Sequence, residues 1–255
     1  MKIFIAFAIC GCAWAQSGLQ RPQIGKMLDA NGAVRTVYGI ASSVTLGDAE
    51  TTGVLSSGCS NTLCLAKTDA SIVSASGIVA APAGPALFAF DGAAAWVWFP
   101  ESRQLARWSD GALVCVSQNP LHDCRGSVGT RAVPQRNPDS HGGDLEGEVL
   151  SIGANSGSVQ FAVRRLTGIW IVNQDGSVAG ALPRVAGAVM LIPGGAVYAT
   201  RRGIAIHDLE IPLEGVTGFS WMSASYLQVR AGGVNYALRI DPGRETLFQL
   251  PGVQQ

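Results

Sequence analysis

Short apolar runs of about five residues, each bounded by Gly, Asn, Asp or Pro, recur from one end of this chain to the other. No apolar stripe of helical period persists for ten residues. A chain punctuated in this way has little choice but to fold into many short strands. Ala86-Leu87-Phe88-Ala89-Phe90, Ala95-Trp96-Val97-Trp98-Phe99, Gln104 to Trp108 and Ala112 to Val116 follow one another with turns between, which predicts a four-stranded meander. Asn31-Gly32, Asp91-Gly92, Asp110-Gly111 and Asp175-Gly176 sit between such runs and suit tight hairpins, because both residues of such a pair tolerate positive φ. Charged residues make up only 14% of the chain and hydrophobic ones 47%, so intrinsic disorder is excluded and a packed all-β core is expected.

The amino terminus carries a different signal. Lys2 is followed by an uncharged apolar run from Ile3 to Trp14, and Ala13-Trp14-Ala15 presents small residues where a signal peptidase reads. Residues 1–15 are therefore expected to be a signal peptide and 16–255 a single secreted or periplasmic domain. The run is shorter than the roughly 20 residues a spanning helix needs. Ile9-Cys10-Gly11-Cys12 offers an alternative, a lipid anchor on Cys12. A second uncharged stretch, Ala70 to Phe90, is broken by Gly77, Pro82, Gly84 and Pro85 and reads as buried strands, so no transmembrane segment is expected in the mature chain. Cys59 with Cys64 and Cys115 with Cys124 form two local pairs, as disulfides of an exported protein do. Their spacings differ from those of zinc knuckles. With 18 basic against 18 acidic side chains there is no concentrated positive field, so nucleic acid is not an implied partner.

The strands repeat as a unit. Taking the first strand of each candidate unit, starts fall near Ser43, Ala86, Glu148, Ala188 and Thr217, a spacing compatible with the period of about 40 residues that marks a propeller. The widest gap holds a polar insertion, residues 118–147. An internal echo runs through the units: Cys64-Leu65-Ala66-Lys67, Phe161-Ala162-Val163-Arg164, Tyr198-Ala199-Thr200-Arg201 and Leu227-Gln228-Val229-Arg230 all end in a cation. From Gly25 to Gly252 the chain thus resembles the β-propeller class, in the loose manner of NHL or WD40-like secreted bacterial propeller proteins, although the Gly-His and Trp-Asp signature is missing. The resemblance implies antiparallel four-stranded blades, five of them or alternatively six. The strand Ala33 to Tyr38 is expected to pair with the last blade and close the ring.

Catalytic motifs are scarce. Gly218-Phe219-Ser220-Trp221-Met222 lacks the second glycine of a nucleophile elbow, and no phosphate-binding loop or dinucleotide fingerprint occurs. His207-Asp208 follows an apolar strand, where neighbours point to opposite faces, and reads as a turn. His122 and His141, with Asp123, Asp139, Asp144 and Glu146, lack the regular spacing of a dedicated metal site, and no cofactor is implied. The aromatic pairs Trp96 and Trp98, with Trp170, read as inter-blade core. The register of Lys67, Arg164, Arg201 and Arg230 is the one functional constellation: a propeller sets such residues around one rim, where Arg can grip carboxylates or sulfates. The expectation is a binding or interaction module for a protein or an acidic or glycan ligand. An extracellular hydrolase or lyase acting on a glycan at the central channel, and a cell-envelope scaffold, are the alternatives.

Overall fold

A computed structural model describes residues 21–116, 145, 147–155, 157–183 and 185–252. The expected signal peptide, Cys12, Cys124, His122 and His141, and most of the insertion lie outside the described residues.

Among the described residues, six antiparallel sheets follow one another along the chain. The first has three strands, β1 (Gln23–Leu28), β2 (Val34–Ile40) and β3 (Ser43–Thr51). The second holds β4 (Ser56–Cys59), β5 (Cys64–Lys67), β6 (Ser71–Ser74) and β7 (Gly77–Ala80). The third holds β8 (Leu87–Asp91), β9 (Ala94–Phe99), β10 (Gln104–Ser109) and β11 (Ala112–Cys115). The fourth holds β12 (Glu148–Asn155), β13 (Ser158–Arg165), β14 (Gly168–Asn173) and β15 (Val178–Leu182). The fifth holds β16 (Val189–Ile192), β17 (Gly195–Ala199), β18 (Gly203–Ile206) and β19 (Leu209–Pro212). The sixth holds β20 (Val216–Ser223), β21 (Tyr226–Ala231), β22 (Val234–Arg239) and β23 (Thr246–Gln249). Each sheet is a simple meander, strand order following chain order. The turns behave as their residues dictate: Asp110 and Gly111 take φ of 52° and 76°, and Gly32, Gly92 and Gly176 are also positive.

Six apolar clusters occupy the six interfaces between successive sheets, and this closes the ring. Leu28 and Val34 meet Val54 and Ala66 between the first two sheets. Leu65 and Ile72 meet Val97 and Phe99 at the next interface, and Trp96 and Trp98, on the opposite face of β9, meet Phe161 and Val163. Ala162 and Ile169 meet Val189 and Leu191, and Val197, Ile204 and Ile206 meet Leu227 and Val229. Met222 and Ala237 then meet Ile24, Met27 and Val37, joining last sheet to first. A sheet packed on both faces needs apolar residues at consecutive positions, which is why β9 reads Ala-Ala-Trp-Val-Trp-Phe and is buried almost throughout. Each such large side chain contributes roughly 1.5–3 kcal/mol. The fold is a β-propeller.

It has six blades, where five were preferred from sequence. The misreading arose at the start: Ser43 opens the third strand of the first sheet, and the second sheet begins at Ser56 with a strand, Ser-Ser-Gly-Cys, that has almost no hydrophobic signature. Nor does the Ala33 to Tyr38 segment pair with the last blade. It becomes the middle strand of its own sheet, bonded to β1 and β3. The apolar stretch Ala70 to Phe90 forms β6, β7 and most of β8, and no helix among the described residues is long and apolar enough to cross a membrane.

Candidate functional site

The inner strands β4, β8, β12, β16 and β20 run in one sense, so their starts gather at one face of the ring and their ends at the other. Two cavities lie along this axis. β4 and β20 pack directly on each other, with the Ala224 amide donating to Asn61 Oδ1 at 3.3 Å, and no residue of the three-stranded blade lines either cavity.

The cavity at the strand starts has a volume of about 100 Å³ and is lined by Ser56, Ser57, Ser151, Ser220, Phe219 and Arg230, among others. Polar groups here are partly committed: Ser56 Oγ accepts the Ala86 amide at 2.9 Å, Ser151 Oγ accepts the Leu191 amide at 3.0 Å, and Ser220 Oγ donates to Gln228 Oε1 at 3.2 Å. Arg230 has no carboxylate partner among the described residues. The residue is exposed, and the protein around it shifts the guanidinium pKa below its ordinary value through local desolvation. No Asp, Glu or His is among the described residues lining either axial cavity.

Second strands run opposite to the inner ones, so the cations that close the internal echo all come to the face where the inner strands start. Lys67 ends β5, Arg164 is the penultimate residue of β13, Arg201 follows β17, and Arg230 is the penultimate residue of β21. Their environments differ sharply. Lys67 is fully buried, its Nζ donating to the carbonyls of Thr68 at 2.5 Å and Asp69 at 2.8 Å; burial lowers its pKa, with Asp69 and Glu101 opposing. Arg164 is paired with Glu148 at 2.8 Å. Arg201 lies outside the axis in an open groove on the fifth blade, with Arg202, Tyr198 and Glu210. Of the four, Arg230 alone lines the axial cavity. Sequence spacing gives the register but carries no sign of which cation is matched by a carboxylate.

At the other face, where the β4–β5 and β8–β9 hairpins turn, a second cavity of about 400 Å³ is bounded by Phe90, Leu191, Ile192, Pro193 and Trp221. Cys59, bonded to Cys64, forms part of its wall. Cys115 is also disulfide-bonded, while Cys124 lies outside the described residues. Phe90 and Trp221 meet edge to face, with centroids 6.5 Å apart and planes at 88°. The chamber has no signature in the sequence, because its wall is drawn from five blades.

The tryptophans singled out in the sequence pack at the interface of the third and fourth sheets, and His207 sits in a turn. Trp98 stacks edge-on against Phe161 at 5.6 Å, Arg107 lies 5.6 Å from the Trp96 ring, and Trp170 Nε1 donates to Thr167 Oγ1 at 3.1 Å. His207 occupies the β18–β19 turn with φ of 49°, its Nδ1 3.0 Å from Glu245 Oε1. Among the described residues no group of three or more His, Cys, Asp and Glu is arranged to hold a metal.

The fold and its axis define a six-bladed β-propeller with a cavity at each mouth. No protein-family model matches the sequence, and no curated protein matches it. Among solved structures the chain is similar to PorZ, a bacterial surface component of the type-IX secretion system of Porphyromonas gingivalis, at 13% identity and a TM-score of 0.48; the match covers 92% of this chain and 39% of that one. It is similar to AztD of Citrobacter koseri at 11% identity and a TM-score of 0.40, over 91% of this chain and 71% of that one. Hsv2 of Kluyveromyces marxianus matches at 12% identity and a TM-score of 0.37, over 89% and 82% respectively. The chain thus spans about two fifths of PorZ.

Proposed function

We propose that this protein is a secreted or periplasmic binding module that seats an acidic group of its ligand or partner at the Arg230 end of the central channel. One observation carries the reading. Arg230 stands, exposed, at the mouth of an axial cavity, with no carboxylate partner among the described residues. A guanidinium left in that condition gains more from an incoming carboxylate or sulfate than one already paired, because its charge is uncompensated. A cavity of about 100 Å³ admits one such group and leaves the rest of the ligand on the rim. Arg230 makes the direct contact, Arg201 is placed to meet a larger ligand further out, and Lys67 and Arg164 shape the rim. Export agrees with the amino-terminal sequence and with the Cys59–Cys64 disulfide, since such bonds persist in oxidising compartments.

The test is a comparison of the wild-type protein with Arg230→Ala on an array of acidic peptides, sulfated and carboxylated glycans, and their neutral counterparts. Selective retention of acidic members that falls at least tenfold in Arg230→Ala is expected. Equal retention by both proteins, or no preference for acidic members, would overturn the reading.

A further inference from the structure

The chamber at the opposite mouth has a different chemistry from the Arg230 end. Its wall carries no charged residue among those described, and its larger surfaces come from Phe90, Leu191, Ile192, Pro193 and Trp221. At about 400 Å³ it lies within the roughly 300–1,000 Å³ typical of small-molecule sites. Trp221 is the one described residue that lines both axial cavities.

One hydrogen-bond donor stands at the rim of this chamber, and a second is unpaired but enclosed in its wall. Trp221 Nε1 is the only buried side-chain nitrogen or oxygen among the described residues that has no partner. Buried indole N–H groups ordinarily find one, and leaving one unmet costs about 1–3 kcal/mol. At the rim, Asn61 Oδ1 accepts the Ala224 amide, and this fixes the orientation of the side-chain amide: Nδ2, a donor, is the atom left over. A donor at the rim of an apolar wall calls for a ligand that supplies an acceptor without charge. A charged group would be desolvated here with nothing to balance it. A sugar, with many hydroxyls to satisfy, would find too few partners.

We infer that this chamber is a second binding site, for a neutral, mainly apolar ring compound bearing a carbonyl or ether oxygen. The ring packs against Phe90, Leu191 and Ile192, and the oxygen accepts from Asn61 Nδ2 at the rim. The inference does not depend on an acidic ligand at Arg230.

The probe is 6-propionyl-2-dimethylaminonaphthalene, a neutral naphthalene ketone whose emission reports both the polarity around it and hydrogen bonding to its carbonyl. Saturable binding at one site per chain, with a blue-shifted emission, is expected of the full protein. Ala93→Trp and Ala224→Phe, both at exposed positions on the chamber wall, fill the space and are each expected to weaken binding at least tenfold. Asn61→Asp keeps the acceptor for the Ala224 amide and removes the donor. It is expected to weaken binding about two- to tenfold, the worth of one neutral hydrogen bond. Circular dichroism confirms that each variant is folded. Absence of saturable binding, or binding that survives both filling substitutions in folded protein, would overturn the assignment.

Discussion

Leu28 and Gln228, two hundred positions apart, hold each other by a reciprocal pair of hydrogen bonds: the Leu28 amide donates to Gln228 Oε1 at 3.0 Å, and Gln228 Nε2 donates to the Leu28 carbonyl at 2.7 Å. Gln228 is 1% exposed, and its remaining capacity is taken by Ser220 and Asn235. This side chain joins the last blade to the first, the seam that in a closed ring has no covalent connection.

Gln228→Leu fills nearly the same volume but leaves both Leu28 groups without these partners. At about 1–3 kcal/mol for each buried group left unmet, a loss of about 2–4 kcal/mol is expected in urea unfolding. A change below about 0.5 kcal/mol would show that the seam is held by the apolar contacts of Met27, Val37 and Met222 alone.

Asp29 gives the first blade a pH dependence. Its carboxylate is buried at the β1–β2 turn, accepting from the amides of Asn31 at 2.9 Å and Ala33 at 2.8 Å and from Arg35 Nε at 2.7 Å. Burial opposes the charge, but Arg35 and the two amides outweigh it and hold the pKa below the ordinary value. A carboxylate with a depressed folded pKa adds stability above its unfolded pKa of about 3.9 and loses it as pH falls from there through the folded pKa. Wild-type thermal stability is therefore expected to fall below about pH 4. Asp29→Asn, less stable at pH 7, is expected to show a shallower fall; parallel curves would contradict this.

The Cys59–Cys64 bridge closes a short hairpin, its ends five positions apart in sequence. For so small a loop the entropy removed from the unfolded chain is worth about 2 kcal/mol. The double change to Ser is expected to lower stability by about that amount and to loosen the turn that carries Asn61. The check is faster hydrogen exchange at Ala224, whose amide bonds Asn61 Oδ1. Unchanged exchange there would separate the disulfide from the chamber wall.

Strands and turns were legible in the sequence because they follow from local rules: alternation, apolar runs and dipeptides that take positive φ. Trp96 and Trp98 read correctly as core for the same reason. The second blade did not, because β4 is small for a tertiary reason. A Cβ on Gly58 would stand 3.1 Å from the Phe90 ring and 3.2 Å from Phe88 Cβ, so a side chain there would crowd β4 against β8. Gly25 plays the same part on β1, where a Cβ would fall 2.4 Å from the Met222 carbonyl. Crowding near the axis thus removes the side chains by which a strand is recognised. The cation register was visible because the chain ends each second strand alike. That Arg164 meets Glu148 while Arg230 meets no carboxylate among the described residues depends on the neighbouring strand, and spacing does not encode it.

The central claim is that Arg230 at the axial mouth receives an acidic group, and a site-resolved titration tests it most directly. Succinate is added to the 15N-labelled protein while the Arg230 Nε–Hε signal and the amides of Ser57, Ser151 and Ser220 are followed by NMR. Saturable shifts at these positions, absent in Arg230→Ala and weakened by salt, are expected. Shifts that are missing there, or that persist undiminished in Arg230→Ala, would contradict the account.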